Sequence, residues 1–210
     1  MRRIAAAALA LGLVGCGVEK PVEMAKTGDV ATCDPAKYPC GPFGYSTDSI
    51  IENLKLVGRS DSNGDKIVDS KDDLKNIALA DYFVDKNIKA IFVVVAAEWC
   101  GPCRAEQPDL VNAWKEYQSK GGQVAFLQAI VQDSSRRPAS MTTVDRWSTT
   151  FKIPFDMVSD PTNALGPYYN VAAFPMQMLL RAKDMSIVFQ ENGNHIKTVK
   201  SLVADILAND

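Results

Sequence analysis

An uninterrupted apolar run, Ala90-Ile91-Phe92-Val93-Val94-Val95-Ala96-Ala97, leaves no polar position on either face of the segment it forms. Alternate residues of a strand point to opposite faces, so a run apolar at every position predicts a parallel strand covered on both sides. Downstream the period changes. Leu110, Val111, Trp114 and Gln118 fall at helical spacing, and Gly121-Gly122 supplies the stop. Residues 124–131 predict a second strand, reached from the first by a right-handed crossover. Val144, Trp147 and Phe151 mark another helix, and residues 153–158 a short strand ended by Asp160-Pro161. Residues 176–180 and 186–190 predict a hairpin around Lys183-Asp184, and Ile196, Val199, Val203 and Ile206 line one face of a terminal helix. Upstream, residues 50–58 are expected to open the folded domain as a helix turn or a strand on the sheet's edge, and residues 73–83 lead into the apolar run. Aromatic residues in these patterns are expected in the core.

The chain has 210 residues, of which 47% are hydrophobic and 23% charged, a composition with room for one good core plus extensions. A net charge of -2, with no basic stretch beyond Arg2-Arg3 and Arg136-Arg137, gives no footprint for nucleic acid.

The start of the chain departs from the globular pattern. Met1-Arg2-Arg3 precedes a short apolar stretch, residues 4–11, too short for a permanent bilayer span and arranged as an export signal over residues 1–15. Leu13-Val14-Gly15-Cys16 resembles the lipobox of bacterial lipoproteins, which implies lipidation of Cys16. Gly17, in place of a retaining aspartate, implies for a Gram-negative cell the outer membrane facing the periplasm. The alternative is an ordinary cleaved signal in which Cys16 is incidental. Residues 16–45 are expected to form a tether carrying a small loop, with the domain at 46–208. Export places the remaining cysteines in an oxidising compartment, where Cys33 and Cys40 are expected to close a structural disulfide; a second redox pair relaying electrons is the other reading.

The chemistry centres on Trp99-Cys100-Gly101-Pro102-Cys103, between the apolar strand and the amphipathic helix. A cysteine at a strand-to-helix junction meets unpaired backbone N–H groups that stabilise a thiolate, the species that attacks a disulfide. Cys100 is the expected nucleophile and Cys103 the resolving thiol. A zinc site would need a second Cys-x-x-Cys or a histidine pair, and the one histidine, His195, lies far away in sequence.

Gly-Pro between the cysteines, with Trp99 before them, resembles the signature of the thioredoxins. The element order resembles the larger form of that fold, the TlpA-like and alkyl-hydroperoxide-reductase-like branch, over about residues 46–208. The supporting residues are Arg104-Ala105-Glu106-Gln107-Pro108 after the second cysteine, a helix and strand at residues 142–158 where that branch has its insert, and Phe174-Pro175 before Met176. The resemblance implies an α/β fold with a central mixed β-sheet flanked by helices on both faces. It also implies a cis Pro175 beside the cysteines, Trp99 as an apolar cover, and Pro108 as a kink in the redox helix. Val94 stands where ordinary thioredoxins place a buried aspartate. Glu106, one turn beyond Cys103, matches an acidic residue of membrane-anchored thiol reductases and is the expected acid/base; a solvated glutamate is the alternative.

Asp61, Asn63, Asp65, Asp69 and Asp72 follow the spacing of a calcium loop, although Lys66 replaces its glycine; an acidic hairpin turn at Asn63-Gly64 accounts for the same string. The leading functional expectation is an exported, lipid-anchored thiol-disulfide oxidoreductase acting on protein disulfides as a reductant. It needs no cofactor beyond the Cys100/Cys103 disulfide, and its partners are protein thiols and an upstream redox donor. A thiol peroxidase and a copper-binding module using His195 are the alternatives. The first lacks the Thr-x-x-Cys arrangement, and the second the wider cysteine spacing.

Overall fold

A computed structural model describes residues 33–209. Residues 1–32, on which the expected export signal and the expected lipidation of Cys16 fall, lie outside the described residues. The strands are β1 (Lys55–Arg59), β2 (Lys75–Ala78), β3 (Ala90–Ala97), β4 (Val124–Gln132), β5 (Asp156–Ser159), β6 (Met176–Arg181) and β7 (Ser186–Asn192). The helices are α1 (Leu79–Val84), α2 (Gly101–Ala105), α3 (Gln107–Ser119), α4 (Met141–Phe151) and α5 (Ile196–Asn209). The strands form one mixed sheet in the order β2-β1-β5-β4-β3-β6-β7, in the thioredoxin-like arrangement with helices packed against it.

The apolar run is β3, buried at every residue and hydrogen-bonded on both sides, parallel to β4 and antiparallel to β6. Phe92 meets Phe126 edge to face at 5.3 Å, and Phe126 in turn meets Phe155 and Tyr117, which fastens α3 to the sheet. An ion pair of 2.6 Å between Glu116 and Lys200 ties α3 to α5. Gly121 and Gly122 take φ values of 108° and 69°, the left-handed region in which glycine has no Cβ to clash, and Gly122 N–H closes on the Tyr117 carbonyl at 3.0 Å. These are the contacts that end α3 and return the chain to β4.

Three boundaries differ from expectation. The segment read as an edge element is β1, and it lies second in the sheet because residues 73–83 divide into β2, the true edge, and α1. The strand expected at residues 153–158 pairs only from Asp156; Ile153 and Phe155 are buried before pairing begins, so burial there did not mark the ladder. The Asn63-Gly64 turn is not a two-residue hairpin. β1 and β2 pair antiparallel, but across a loop spanning residues 60–74, folded on its own side chains: Asp72 accepts from the backbone of Ser62, Asn63 and Asp69, and Asp61 from Gly64 and Lys66. These bonds hold the Asp72 carboxyl below its ordinary value despite the opposing effect of burial.

Cys33 and Cys40 are joined in a disulfide. Their loop packs on the domain: Tyr38 is buried, donates to the Ile51 carbonyl at 2.9 Å and meets Phe83 of α1 edge to face.

Candidate active site

The end of β3 aims the site. Its register with β4 shifts between Ala96 and Ala97, so the chain leaves the sheet at an irregularity. Glu98 is tied down at once. Its N–H donates to the Gln132 carbonyl, and its buried carboxylate accepts from Arg146 of α4 and from Ser134 N–H. The Arg146 bonds, joined by Ser134 and opposed by burial, hold the Glu98 carboxyl below its ordinary value.

Cys100 caps α2 and Cys103 lies inside it; the two sulfurs are bonded and both residues are buried. Cys100 Sγ accepts the Cys103 N–H at 3.1 Å. The five residues of α2 run on through Glu106, which keeps helical angles and bonds its N–H to the Pro102 carbonyl, into α3, with Pro108 in the first turn of α3. The unpaired N–H groups of the first turn of α2 are the groups that stabilise a sulfur carrying negative charge. The Phe174–Pro175 bond is cis, directly before β6. Trp99 is half-buried, fixed by its indole N–H to Gln132 Oε1 at 2.8 Å and by an edge-to-face contact with Phe174 at 5.8 Å.

Glu106 is 1% exposed, so the solvated alternative does not hold. Burial pushes its carboxyl up to about 8, partly offset by a hydrogen bond from Gln177 and assisted by nearby Asp109. Gln177 Nε2 donates to Glu106 Oε2 at 2.7 Å, and Glu106 Oε1 has no partner. Gln107, also buried, donates to the Cys103 carbonyl at 2.7 Å.

A family model described as the AhpC/TSA family matches residues 64–194, more than half of the chain and the whole of this site. The chain belongs to the AhpC/TSA family. No curated protein matches it. Among solved structures it is similar to a thiol:disulfide interchange protein from Chlorobium tepidum, at 18% identity and a TM-score of 0.55, covering 79% of this chain and 98% of that one. It is also similar to the exposed lipoprotein thioredoxin of Streptococcus pneumoniae, at 21% identity, a TM-score of 0.51 and coverage of 71% and 99%. A secreted thiol-disulfide isomerase from Corynebacterium glutamicum aligns at 16% identity and a TM-score of 0.55, covering 77% and 86%. At these identities the likeness establishes the fold.

Within this AhpC/TSA chain, Gln177 is the site residue the pattern reading passed over: its amide donates to Glu106. It pairs directly with Val94, so it sits on the same sheet face and brings a polar group to the position that lacks the aspartate. A glutamine inside the otherwise apolar Met176-Gln177-Met178-Leu179 was the available signal. His195 contacts Asn192, Phe189 and Glu191 rather than the cysteines. Its ring meets the Asn192 carbonyl at 3.0 Å and Phe189, and its backbone N–H donates to Gln177 Oε1 at 2.8 Å. Among the described residues no group of three or more His, Cys, Asp or Glu is arranged to hold a metal ion.

Proposed function

We propose that the protein is a thiol-disulfide oxidoreductase that reduces disulfides in polypeptides through Cys100 and Cys103. The observation that carries this reading is the pairing of two buried sulfurs at a helix start with a buried carboxyl one turn beyond. In the forward direction the Cys100 thiolate attacks one sulfur of the substrate disulfide. A Cys100–substrate bond forms, and the other substrate sulfur leaves as a thiolate and takes a proton. The Cys103 thiolate then attacks Cys100 Sγ, forming the Cys100–Cys103 disulfide and releasing the second substrate thiol. Two electrons pass from the protein dithiol to the substrate, and a dithiol donor restores them.

Resolution requires Cys103, which is fully buried, to lose its proton. Burial raises the Glu106 carboxyl to about 8. A carboxyl so raised stands ready to exchange a proton near neutral pH, which is the condition for acid/base work. Side chains three apart on a helix are neighbours, so Glu106 has the reach. Trp99 and Pro175 frame the substrate approach.

The proposed setting is outside the cytoplasm, with residues 1–15 as export signal and Cys16 as lipid anchor, facing the periplasm from the outer membrane. The Leu13-Val14-Gly15-Cys16 string supports it, as do neighbours described as secreted or as an exposed lipoprotein.

The test is a trap. Reduced Cys103→Ser protein mixed with a disulfide-bonded peptide should accumulate a mixed disulfide on Cys100, visible by mass spectrometry, while Cys100→Ser should not. An adduct forming only on Cys103, or none while the wild type leaves the peptide oxidised, would overturn the assignment.

A further inference from the structure

A cavity of about 400 Å³ opens beside the redox turn, walled by Trp99, Phe174, Pro138, Pro161 and Val171. Arg136 is the one charged residue among the described residues that line it. It is exposed and occupies the left-handed region, with φ 62°, in a tight turn. The turn is fixed by Asp133, whose carboxylate accepts Ser135 N–H at 2.8 Å, Arg137 N–H at 2.9 Å and the Arg137 guanidinium at 2.8 Å. Arg136 N–H closes on the Asp133 carbonyl at 3.0 Å.

From this turn the Arg136 guanidinium lies 4.1 Å from the centroid of the Trp99 ring. Trp99 is itself locked by Gln132 and Phe174, so the cation rests on a fixed aromatic plate. The carboxylates of the adjoining segments are already committed, Glu98 to Arg146 and Asp133 to Arg137. The groove therefore presents aromatic and proline walls, the amides of Gln132 and Asn163, and a positive charge with no carboxylate of its own. An arginine held over a ring loses little further freedom on binding a carboxylate, and its planar fork suits that group.

We propose that the Trp99–Arg136 wall selects polypeptide disulfides whose cysteine is flanked by an acidic side chain, the carboxylate pairing with Arg136 while the segment lies against Phe174. This rests on the disulfide-exchange reading above and names its substrate class. An exposed pair of this kind changes a rate constant by about two- to fivefold, and the preference weakens with salt because the charges are open to solvent.

The experiment uses the full chain, pre-reduced, in single turnover against three disulfide-bonded peptides that differ only in Glu, Ala or Lys beside the cysteine. Uncharged hydroxyethyl disulfide serves as reference. The expected order for the wild type is Glu, then Ala, then Lys, with the spread closing at 0.5 M salt or above, roughly where the Debye length drops below ~5 Å. Arg136→Gln should bring the Glu-to-Lys ratio to about one, and Arg136→Glu should invert it. Equal rates for the three peptides, with hydroxyethyl disulfide still reduced, would overturn the inference and leave the exchange reading standing. A Glu-to-Lys ratio unchanged by Arg136→Gln would overturn it as well. No reaction with any disulfide, hydroxyethyl disulfide included, would remove the exchange reading on which the inference rests.

Discussion

Gln177 and Glu106, 71 residues apart in the chain, share a buried hydrogen bond of 2.7 Å from the amide nitrogen of one to a carboxyl oxygen of the other. The amide is held from its other end, because Gln177 Oε1 accepts His195 N–H at 2.8 Å. Its NH₂ group therefore faces the carboxyl. One oxygen of Glu106 is satisfied and the other is not, and burial outweighs the single donor, so the proton is retained up to about pH 8.

Stability should carry that signature. A buried carboxyl raised above its unfolded value holds a proton in the folded protein that the unfolded chain releases. Stability therefore falls as pH rises from about 4.5 to about 8. The loss attributable to this one group is at most about 5 kcal/mol. Urea unfolding of the oxidised protein at several pH values should show this decline in the wild type and a flatter profile in Glu106→Gln. Parallel profiles would mean that Glu106 does not titrate in that window.

Gln177→Leu removes the one donor that favours the ionised form. The Glu106 carboxyl should move further up, by about one pH unit for a hydrogen bond to a charged group. The corresponding midpoint in the pH dependence of Cys103-dependent resolution should move with it. In the Glu106→Gln, Gln177→Leu double variant that midpoint should be absent, a result that mere loosening of the strand would not produce.

Trp147 is, beside Arg146, a contact through which α4 supports the site from behind. It is 1% exposed, donates from its indole to Gln128 at 3.3 Å and lies under the Arg104 guanidinium at 5.7 Å. Trp147→Ala should cost about 3–5 kcal/mol in chemical denaturation, and Trp147→Phe clearly less. A cost below ~1 kcal/mol for the alanine variant would show that the neighbouring side chains collapse into the space.

The Cys33–Cys40 disulfide closes a short loop against Tyr38. Replacing both cysteines with alanine should lower stability by about 2 kcal/mol and leave the rate of Cys100 exchange as it was. A loss of electron transfer with stability intact would instead make this pair a relay.

What could be read from the chain alone follows from how local each signal is. The all-apolar β3 and the Cys100–Cys103 turn announce themselves within a dozen residues, and Phe174-Pro175 stands out by type. The thioredoxin-like sheet follows from their order. The chemistry around the sulfurs is assembled from farther away. Glu98 finds Arg146 48 residues on, and Gln177 reaches Glu106 from the opposite side of β3. No period or spacing joins such residues; register does, since pairing Gln177 with Val94 sets a polar group where the strand sequence shows only valine. Arg136 was visible merely as part of a basic pair, and only its turn places it over Trp99. The edge of the sheet was misread because β2 is short and half exposed, with little hydrophobic pattern to separate it from α1.

The central claim, a dithiol that delivers electrons, is tested most directly by the reduction potential of the Cys100/Cys103 pair in a glutathione or dithiothreitol series. The account predicts a reducing value, close to the roughly -270 mV of thioredoxin. A value near the roughly -120 mV of the strong oxidant DsbA, or failure of the disulfide to form at any poise, would contradict it.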